Sequence, residues 1–589
     1  MVKTVWNLTH LYKTNDDFLK DFDTAKKILK NIEKFKEKLQ KNDKKIIFEY
    51  LMSDVELSLI VEKLAVYART KVDENGKDDI NLKNYQMINS FCSEAGQKLA
   101  FAKTELASLD DEFLISLSKD NEFADFDRYF KEIIRMKKHT LSEKDEQFVA
   151  SLSNFCISDD IYSLLTNIEM DHGEFVDENG NKIKLTTGNF NFYMRSPSQE
   201  TRKRVLEEYL AKYGKFNLTI ANLYFSRVKY VNFLAKTYGY GSAREMLAYE
   251  EEVDSEIMIK NLERVSKKVG ILQKYFKLKQ NILGLDEFFV SDIFAELPLE
   301  KDEKISYEDA VKDVEESYYV LGDDYVQMFK TALEDGWIDA FPKENKSSGG
   351  YTISTYSVHP YILLNFDGTE YWKSAITHEF GHAMHSFYSA QKQPYAKHDY
   401  TIFVAEVASL TNEILLSNYL LKKETNKAKK MKILTEFLQL FYLNVFNSTM
   451  MSEFEIFVHE TLQNGEELST GELCEKFKLL CEKYFGEDVK LNKNFEFDWC
   501  RKPHFFRDYY LYKYSTGLIA ACAVAGKILS DESGEYVKTY KKFLSLGGSV
   551  DPVGSLKIAE VDIMSEKTYD LAFDLFENYL NQLENLYKN

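Results

Sequence analysis

Thr377-His378-Glu379-Phe380-Gly381-His382-Ala383-Met384-His385 is the stretch from which the rest of the chain is read. It lies in an apolar-periodic segment, 371–390, that follows the turn signal Asp367-Gly368-Thr369, and the spacing predicts a helix. On a helix, positions i and i+4 stand one turn apart on one face, so His378 and His382 direct both imidazoles at one point with Glu379 beside them. Two imidazoles converging at about 2.0–2.1 Å are a zinc-binding pattern. Five of the ten histidines, His359, His378, His382, His385 and His398, fall within residues 359–398, so the commonest metal ligand is concentrated here.

A straight helix offers little beyond these two ligands. His385 at i+7 returns to the same face, but a third donor from one helix closes a tetrahedron poorly. His385 and His359 are therefore expected to support the site or face substrate. Glu406 is the better third ligand: it stands in a helical segment, 402–416, as a charge inside the otherwise apolar run 402–410. A carboxylate there is costly unless it is paired or bound to a metal. Seven residues on, Glu413 shares that face and can accept a hydrogen bond from the free N–H of a ligating histidine. One Zn²⁺ per chain is expected, activating a water for attack on a carbonyl, with Glu379 as general base and then proton shuttle to the leaving amine.

Outside this stretch the chain is predicted to be mainly α. Only 25 Gly and 7 Pro occur in 589 residues, and apolar spacing of helical period recurs at 18–39, 48–66, 80–109, 201–211 and 259–283. Asn179-Gly180, with apolar residues on both sides, predicts a hairpin. Ser196-Pro197-Ser198-Gln199 predicts a helix capped by Ser196 with proline at its first position. Two short strands are expected on either side of Pro360, making a small sheet beside the His-Glu helix. The hairpin suggests a division into an N-terminal helical region, 1–185, and a catalytic domain, 186–589.

The 76 basic against 95 acidic residues give a formal charge of −19, which repels phosphate backbones and anionic lipid, so neither nucleic acid nor membrane is expected as a partner. The first twelve residues lack a basic segment followed by an apolar run, which argues for a cytoplasmic protein. The most apolar stretch, 514–526, is 13 residues long, against about 20 for a membrane span, and reads as a buried helix. Six scattered cysteines without C-x-x-C spacing read as reduced, buried thiols.

These residues resemble the M3 zinc metallopeptidases, and within them the oligoendopeptidase F branch. The resemblance is carried by His378-Glu379-Phe380-Gly381-His382-Ala383-Met384-His385, by Phe403-Val404-Ala405-Glu406-Val407-Ala408-Ser409 with Asn412-Glu413, by Ser348-Gly349-Gly350-Tyr351, by His359-Pro360-Tyr361-Ile362-Leu363-Leu364-Asn365 and by Trp6-Asn7-Leu8-Thr9. It implies a large, two-lobed helical enzyme with a deep cleft that cleaves short oligopeptides internally. It also implies His378, His382 and Glu406 as zinc ligands and Glu379 as base. A His and Tyr cluster near the C-terminus, within 503–517, would bind substrate and stabilise the oxyanion; His504, Tyr509 and Tyr512 are the candidates. Tyr509 and Tyr512 share one helix face, and Tyr510 and Tyr514 another. Two other readings stay open. An exopeptidase would need a charged clamp for a peptide terminus, for which Arg501 and Arg507 are available. A non-catalytic peptide-binding protein would need no metal.

Overall fold

The scarcity of helix breakers lets single helices run far in the computed structural model, which describes residues 2–153, 155–298 and 304–589. Lys44–Glu74 has 31 residues and Asp79–Ala107 has 29. Each starts on an aspartate whose carboxylate accepts the first unpaired N–H groups: Asp43 from Lys45 and Ile46, Asp78 from Ile80 and Asn81. The periodic segment 18–39 ends earlier than its pattern, at Ile32, and continues as short 3-10 turns. The segment 259–283 is two helices, Glu256–Ser266 and Val269–Leu283, broken at Lys267 and Lys268.

Seven short strands occur among the described residues: β1 Glu174–Val176, β2 Lys182–Lys184, β3 Phe288–Phe289, β4 Ile338–Asp339, β5 Tyr351–Ile353, β6 Tyr361–Leu363 and β7 Val489–Lys490. β1 and β2 form the hairpin read from Asn179-Gly180, with Gly180 at φ +80°. The strands expected around Pro360 are β5 and β6, antiparallel, with Thr352 opposite Ile362. β4 joins them in the order β4-β6-β5, parallel to β6. Two residues are too short a run for any alternation to show in the sequence, and β4 was not anticipated. The helix predicted from Ser196 begins instead at Gln199, where the Ser198 hydroxyl caps Thr201 N–H. Ser196 Oγ accepts from Ser198 N–H, so Pro197 precedes the cap rather than following it.

Packing divides the chain differently from the contiguous split at 185/186. One unit gathers 1–143, 302–420 and 524–562; the other gathers 144–301, 421–523 and 563–589. A hairpin is local turn chemistry, whereas two of the passages between units, at 420/421 and 523/524, lie inside the helices Ile402–Lys423 and Tyr512–Ser530, where periodicity is uninterrupted. The first unit has a core running from Trp6 and Phe18 through Leu64, Phe91 and Phe130 to Tyr361 and Leu363 of β6. Trp6 Nε1 donates to the Ile362 carbonyl at 2.8 Å, tying the first residues to the sheet. In the second unit, Phe441 and Phe446 pack against Phe573 and Phe576 of the helix Glu566–Lys588 at ring separations of 4.8–5.8 Å.

The apolar stretch 514–526 is part of the helix Tyr512–Ser530, with Leu518 to Ala525 buried. Among the described residues no helix is long and apolar enough to cross a membrane. All six cysteines are free; Cys481, Cys500 and Cys522 are buried as expected, but Cys92 is exposed on its helix. Periodicity fixed that helix without fixing which face Cys92 takes.

Candidate metal centre

Two helices of the first unit build the site. Tyr371–Lys392 carries His378, Glu379 and His382, and Ile402–Lys423 carries Glu406 and Glu413. They cross at Gly381, where a Cβ would sit 2.5 Å from Ser409 Cα and 2.8 Å from Ser409 N. Only glycine permits that approach. Because Gly381 adjoins His382 and Ser409 lies one turn beyond Glu406, the crossing brings Glu406 to the imidazoles. His378 Nε2 and His382 Nε2 are 3.1 Å apart, and Glu406 Oε2 is 3.5 Å from the first and 3.8 Å from the second. Donors at tetrahedral angles around zinc stand about 3.3 Å apart at 2.0–2.1 Å bond lengths, so one ion fits among these three atoms.

The surroundings fit a dication too. His378 Nδ1 lies 2.7 Å from Glu413 Oε1, and Glu413 Oε2 also accepts from the Ser374 hydroxyl. The Nδ1–H donor leaves the Nε2 lone pair directed at the site, the arrangement that orients metal-bound histidines. Burial alone would lower the His378 pKa, but the hydrogen bond to Glu413 and the charges of Glu413, Glu406 and Glu379 outweigh it and hold it up at about 9. Burial and the neighbouring His378 push His382 down to about 4. Three carboxylates around two imidazoles therefore call for positive charge at the point where the donors meet. Glu413→Ala is expected to weaken zinc binding by about 10- to 100-fold while the three donors remain; titration against a chelator of known affinity measures it, and an unchanged affinity would remove Glu413 from the site.

Glu379 is held by β5. Thr352 Oγ1 lies 2.8 Å from both the carbonyl and Oε2 of Glu379. Gly350 flanks Oε1, with space for a Cβ no nearer than 3.8 Å. Burial raises the Glu379 pKa against the opposing pull of His378 and the Thr352 hydrogen bond. Thr352 had no signal in the sequence, because its approach to Glu379 depends on the β5–β6 register. Gly381 was legible within the motif, though its crossing partner was not.

Other expected residues fall elsewhere. His385 is buried, with its ring 3.7 Å from Tyr400 and parallel to it, and 5.3 Å from Phe543. Seven residues return it to the face of His378 but about 10 Å along the axis, where the helix is covered and its ring packs rather than joining the three donors. His359 joins His10 and Asp335, a group that shares no residue with the donor set. His504, Tyr509 and Tyr512 belong to the second unit. The face-sharing argument for the tyrosines fails because Tyr509 lies before the helix Tyr512–Ser530 with φ +51°. Tyr509 is buried against His459, its N–H bonded to Glu455 Oε1 at 2.7 Å, and Tyr512 is buried as well. The partly exposed rings of this segment are His504, Tyr510 and Tyr514, with Tyr514 5.9 Å from His504 and 5.3 Å from Tyr510. Arg501, one half of the supposed clamp, is engaged by Asp498.

The sequence profile described as "Peptidase family M3" matches residues 192–575, well over half the chain. The chain belongs to peptidase family M3. It is thus a hydrolase of peptide bonds, and a second profile, "Oligopeptidase F", matches residues 105–171. The interval between the two matches contains the β1–β2 hairpin. Oligopeptidase PepF of Bacillus subtilis is 32% identical over 587 residues, covering 99% of this chain and 87% of the relative. A solved structure from Chlamydophila abortus superposes with a TM-score of 0.91 at 28% identity, over 99% of this chain and 98% of that one. Oligoendopeptidase-F from Enterococcus faecium has the same fold, with a TM-score of 0.75 at 25% identity, over 97% of this chain and 99% of that one.

Proposed function

We propose that this M3 peptidase is a zinc-dependent endopeptidase that cleaves internal bonds of short, unstructured oligopeptides, with His378, His382 and Glu406 as the zinc ligands and Glu379 as general base. The observation that carries the reading is the convergence of three donor atoms from two crossing helices, 3.1 to 3.8 Å apart, with a half-buried carboxylate one residue from a donor. Zinc held there supplies Lewis-acid polarisation of the scissile carbonyl and lowers the pKa of water.

The chain's own residues supply the rest. Thr352 holds Glu379 Oε2, which leaves Oε1 to take the attacking water's proton and to deliver it to the departing amine nitrogen. Glu413 fixes the His378 ring so that its Nε2 lone pair would face an ion held by the three donors. β5 is an edge strand of its sheet and bears Thr352. An extended peptide that pairs with this edge through main-chain hydrogen bonds is held beside Glu379 with little dependence on its side chains. The names of the relatives, oligopeptidase and oligoendopeptidase, support short peptides as substrates. Six free thiols support a reducing, cytoplasmic setting.

Internal cleavage is favoured over an exopeptidase because Arg501 is already paired with Asp498. A quenched peptide with acetylated and amidated ends should be cut at the same internal bond and at a rate comparable with its free-ended form. A chelator should abolish both reactions and added Zn²⁺ restore them. Cleavage confined to free-ended peptides would sink the endopeptidase reading, and cleavage indifferent to chelation would sink the zinc reading.

A further inference from the structure

A second group of metal-binding side chains lies in the first unit. His10 ends the 3-10 turn Leu8–His10, Asp335 ends the helix Asp323–Asp335, and His359 stands just ahead of β6. Asp335 Oδ1 is 3.3 Å from His10 Nε2, Asp335 Oδ2 is 3.9 Å from His359 Nε2, and the two imidazole centroids are 5.0 Å apart. One donor atom from each residue lies within 4.8 Å of the others.

The His359 ring is the informative one. Its Nδ1 is 2.9 Å from the Pro360 carbonyl, which accepts only, so Nδ1 carries the hydrogen and Nε2 the lone pair. That side chain is 8% exposed, and Nε2 is buried without a hydrogen-bond partner. Its plane is fixed by Trp337, stacked at 4.7 Å and 2°, and by Tyr361 at 4.6 Å. A buried lone pair facing a carboxylate oxygen sets two acceptors against each other, an arrangement that costs free energy unless something positive lies between them.

We propose that His10, Asp335 and His359 form a second binding site for a divalent transition-metal ion of the zinc class, separate from the His378, His382 and Glu406 set. Two imidazoles and one carboxylate suit Zn²⁺, Co²⁺ or Ni²⁺ and not the oxygen-seeking Ca²⁺ or Mg²⁺. An Nδ1–H bonded to a backbone carbonyl is the support that metal-bound histidines use. Donors on one ion at about 2.1 Å cannot stand more than about 4.2 Å apart, so closure needs a small swing of His10, whose side chain is 40% exposed and free to make it. The ion would clip the N-terminal segment to the end of a helix and to the strand β6. That segment already bonds there through Asn7 N–H to the Gly336 carbonyl at 2.8 Å and Trp6 Nε1 to Ile362.

The test uses the full chain, stripped of metal and dialysed to equilibrium against micromolar Zn²⁺. Two ions per chain are expected for the wild type, one for His10→Ala, one for His382→Ala and none for the double variant. A His10→Ala count equal to wild type would overturn the second site, whereas a His382→Ala count equal to wild type would overturn the catalytic assignment and leave this one standing. Trp337 gives an independent readout, since an open-shell ion on His359 quenches the stacked indole. In a His382→Ala background, Co²⁺ should dim the emission, with apparent affinity at least about tenfold weaker when His10→Ala is added. Equal quenching with and without His10, or none in either, would overturn the three-residue site.

Discussion

Glu379→Gln is expected to lower kcat on an internally quenched peptide by about 10²- to 10⁴-fold, the span that positioned acid–base groups supply, while zinc content stays at the wild-type level. The two halves of the result come from two features of the site. The three proposed ligands are His378 Nε2, His382 Nε2 and Glu406 Oε2, and none of them belongs to Glu379. The amide of glutamine keeps a carbonyl oxygen that can still accept from Thr352 Oγ1, so the side chain holds its place. What is lost is basicity: an amide oxygen does not take a proton from water near neutral pH. Folding should not suffer, because burial already disfavours the ionised form of Glu379, and a neutral isostere avoids that cost. The variant should therefore unfold at or slightly above the wild-type midpoint. Retention of turnover within twofold of wild type would mean that another group moves the proton.

How far the sequence carried this reading depended on the range of the signal. His378, Glu379 and His382 were legible because one helix fixes their relation through local geometry alone. Glu406 was legible because a charge inside an apolar run needs a partner, even though the run did not say which. The grouping of His359 with His10 was hidden: 349 positions separate them, and only the tie of Trp6 and Asn7 to the strand-bearing segment brings them together. Thr352 was hidden for a similar reason, since an edge strand of three residues has no pattern that reveals its neighbour. The face-sharing argument for Tyr509 and Tyr512 failed for a local reason instead. Sharing of a face at i and i+3 presumes helix at both positions, and Tyr509 has a left-handed backbone. Long helices were readable from period and capping, but the two packing units were not, because at 420/421 and 523/524 the chain passes between them inside single helices that carry no break signal.

Gly381→Ala should have the largest effect of any substitution that touches no polar atom. Elsewhere in a helix the change is favourable by about 1 kcal/mol, and Gly526, inside the last third of Tyr512–Ser530 with nothing within 4 Å of a Cβ, is the control. Gly526→Ala should leave the unfolding midpoint unchanged or raised. At Gly381 the added methyl would meet Ser409 Cα at 2.5 Å, Ser409 N at 2.8 Å and the Ala408 carbonyl carbon at 2.9 Å. Carbon atoms rest at about 3.5–4.0 Å, so the helices have to separate by about 1 Å, and no rotamer change relieves a clash between backbones. Overpacking of this kind costs about 1–3 kcal/mol, which outweighs the gain in helix propensity. The functional loss is greater than the loss of stability, because the same displacement draws Glu406 away from His378 and His382. A shift of about 1 Å in catalytic geometry costs about 100-fold in rate, and here it also weakens the metal site. Gly381→Ala should accordingly show a lowered midpoint, reduced zinc content and a kcat/KM at least about 100-fold below wild type. Adding Ser409→Gly should not rescue it, since the atoms in conflict are main-chain atoms that glycine retains. Rescue by that second change would place the clash in the serine side chain, and wild-type zinc content in Gly381→Ala would show that the close crossing is not what sets the spacing of the donors.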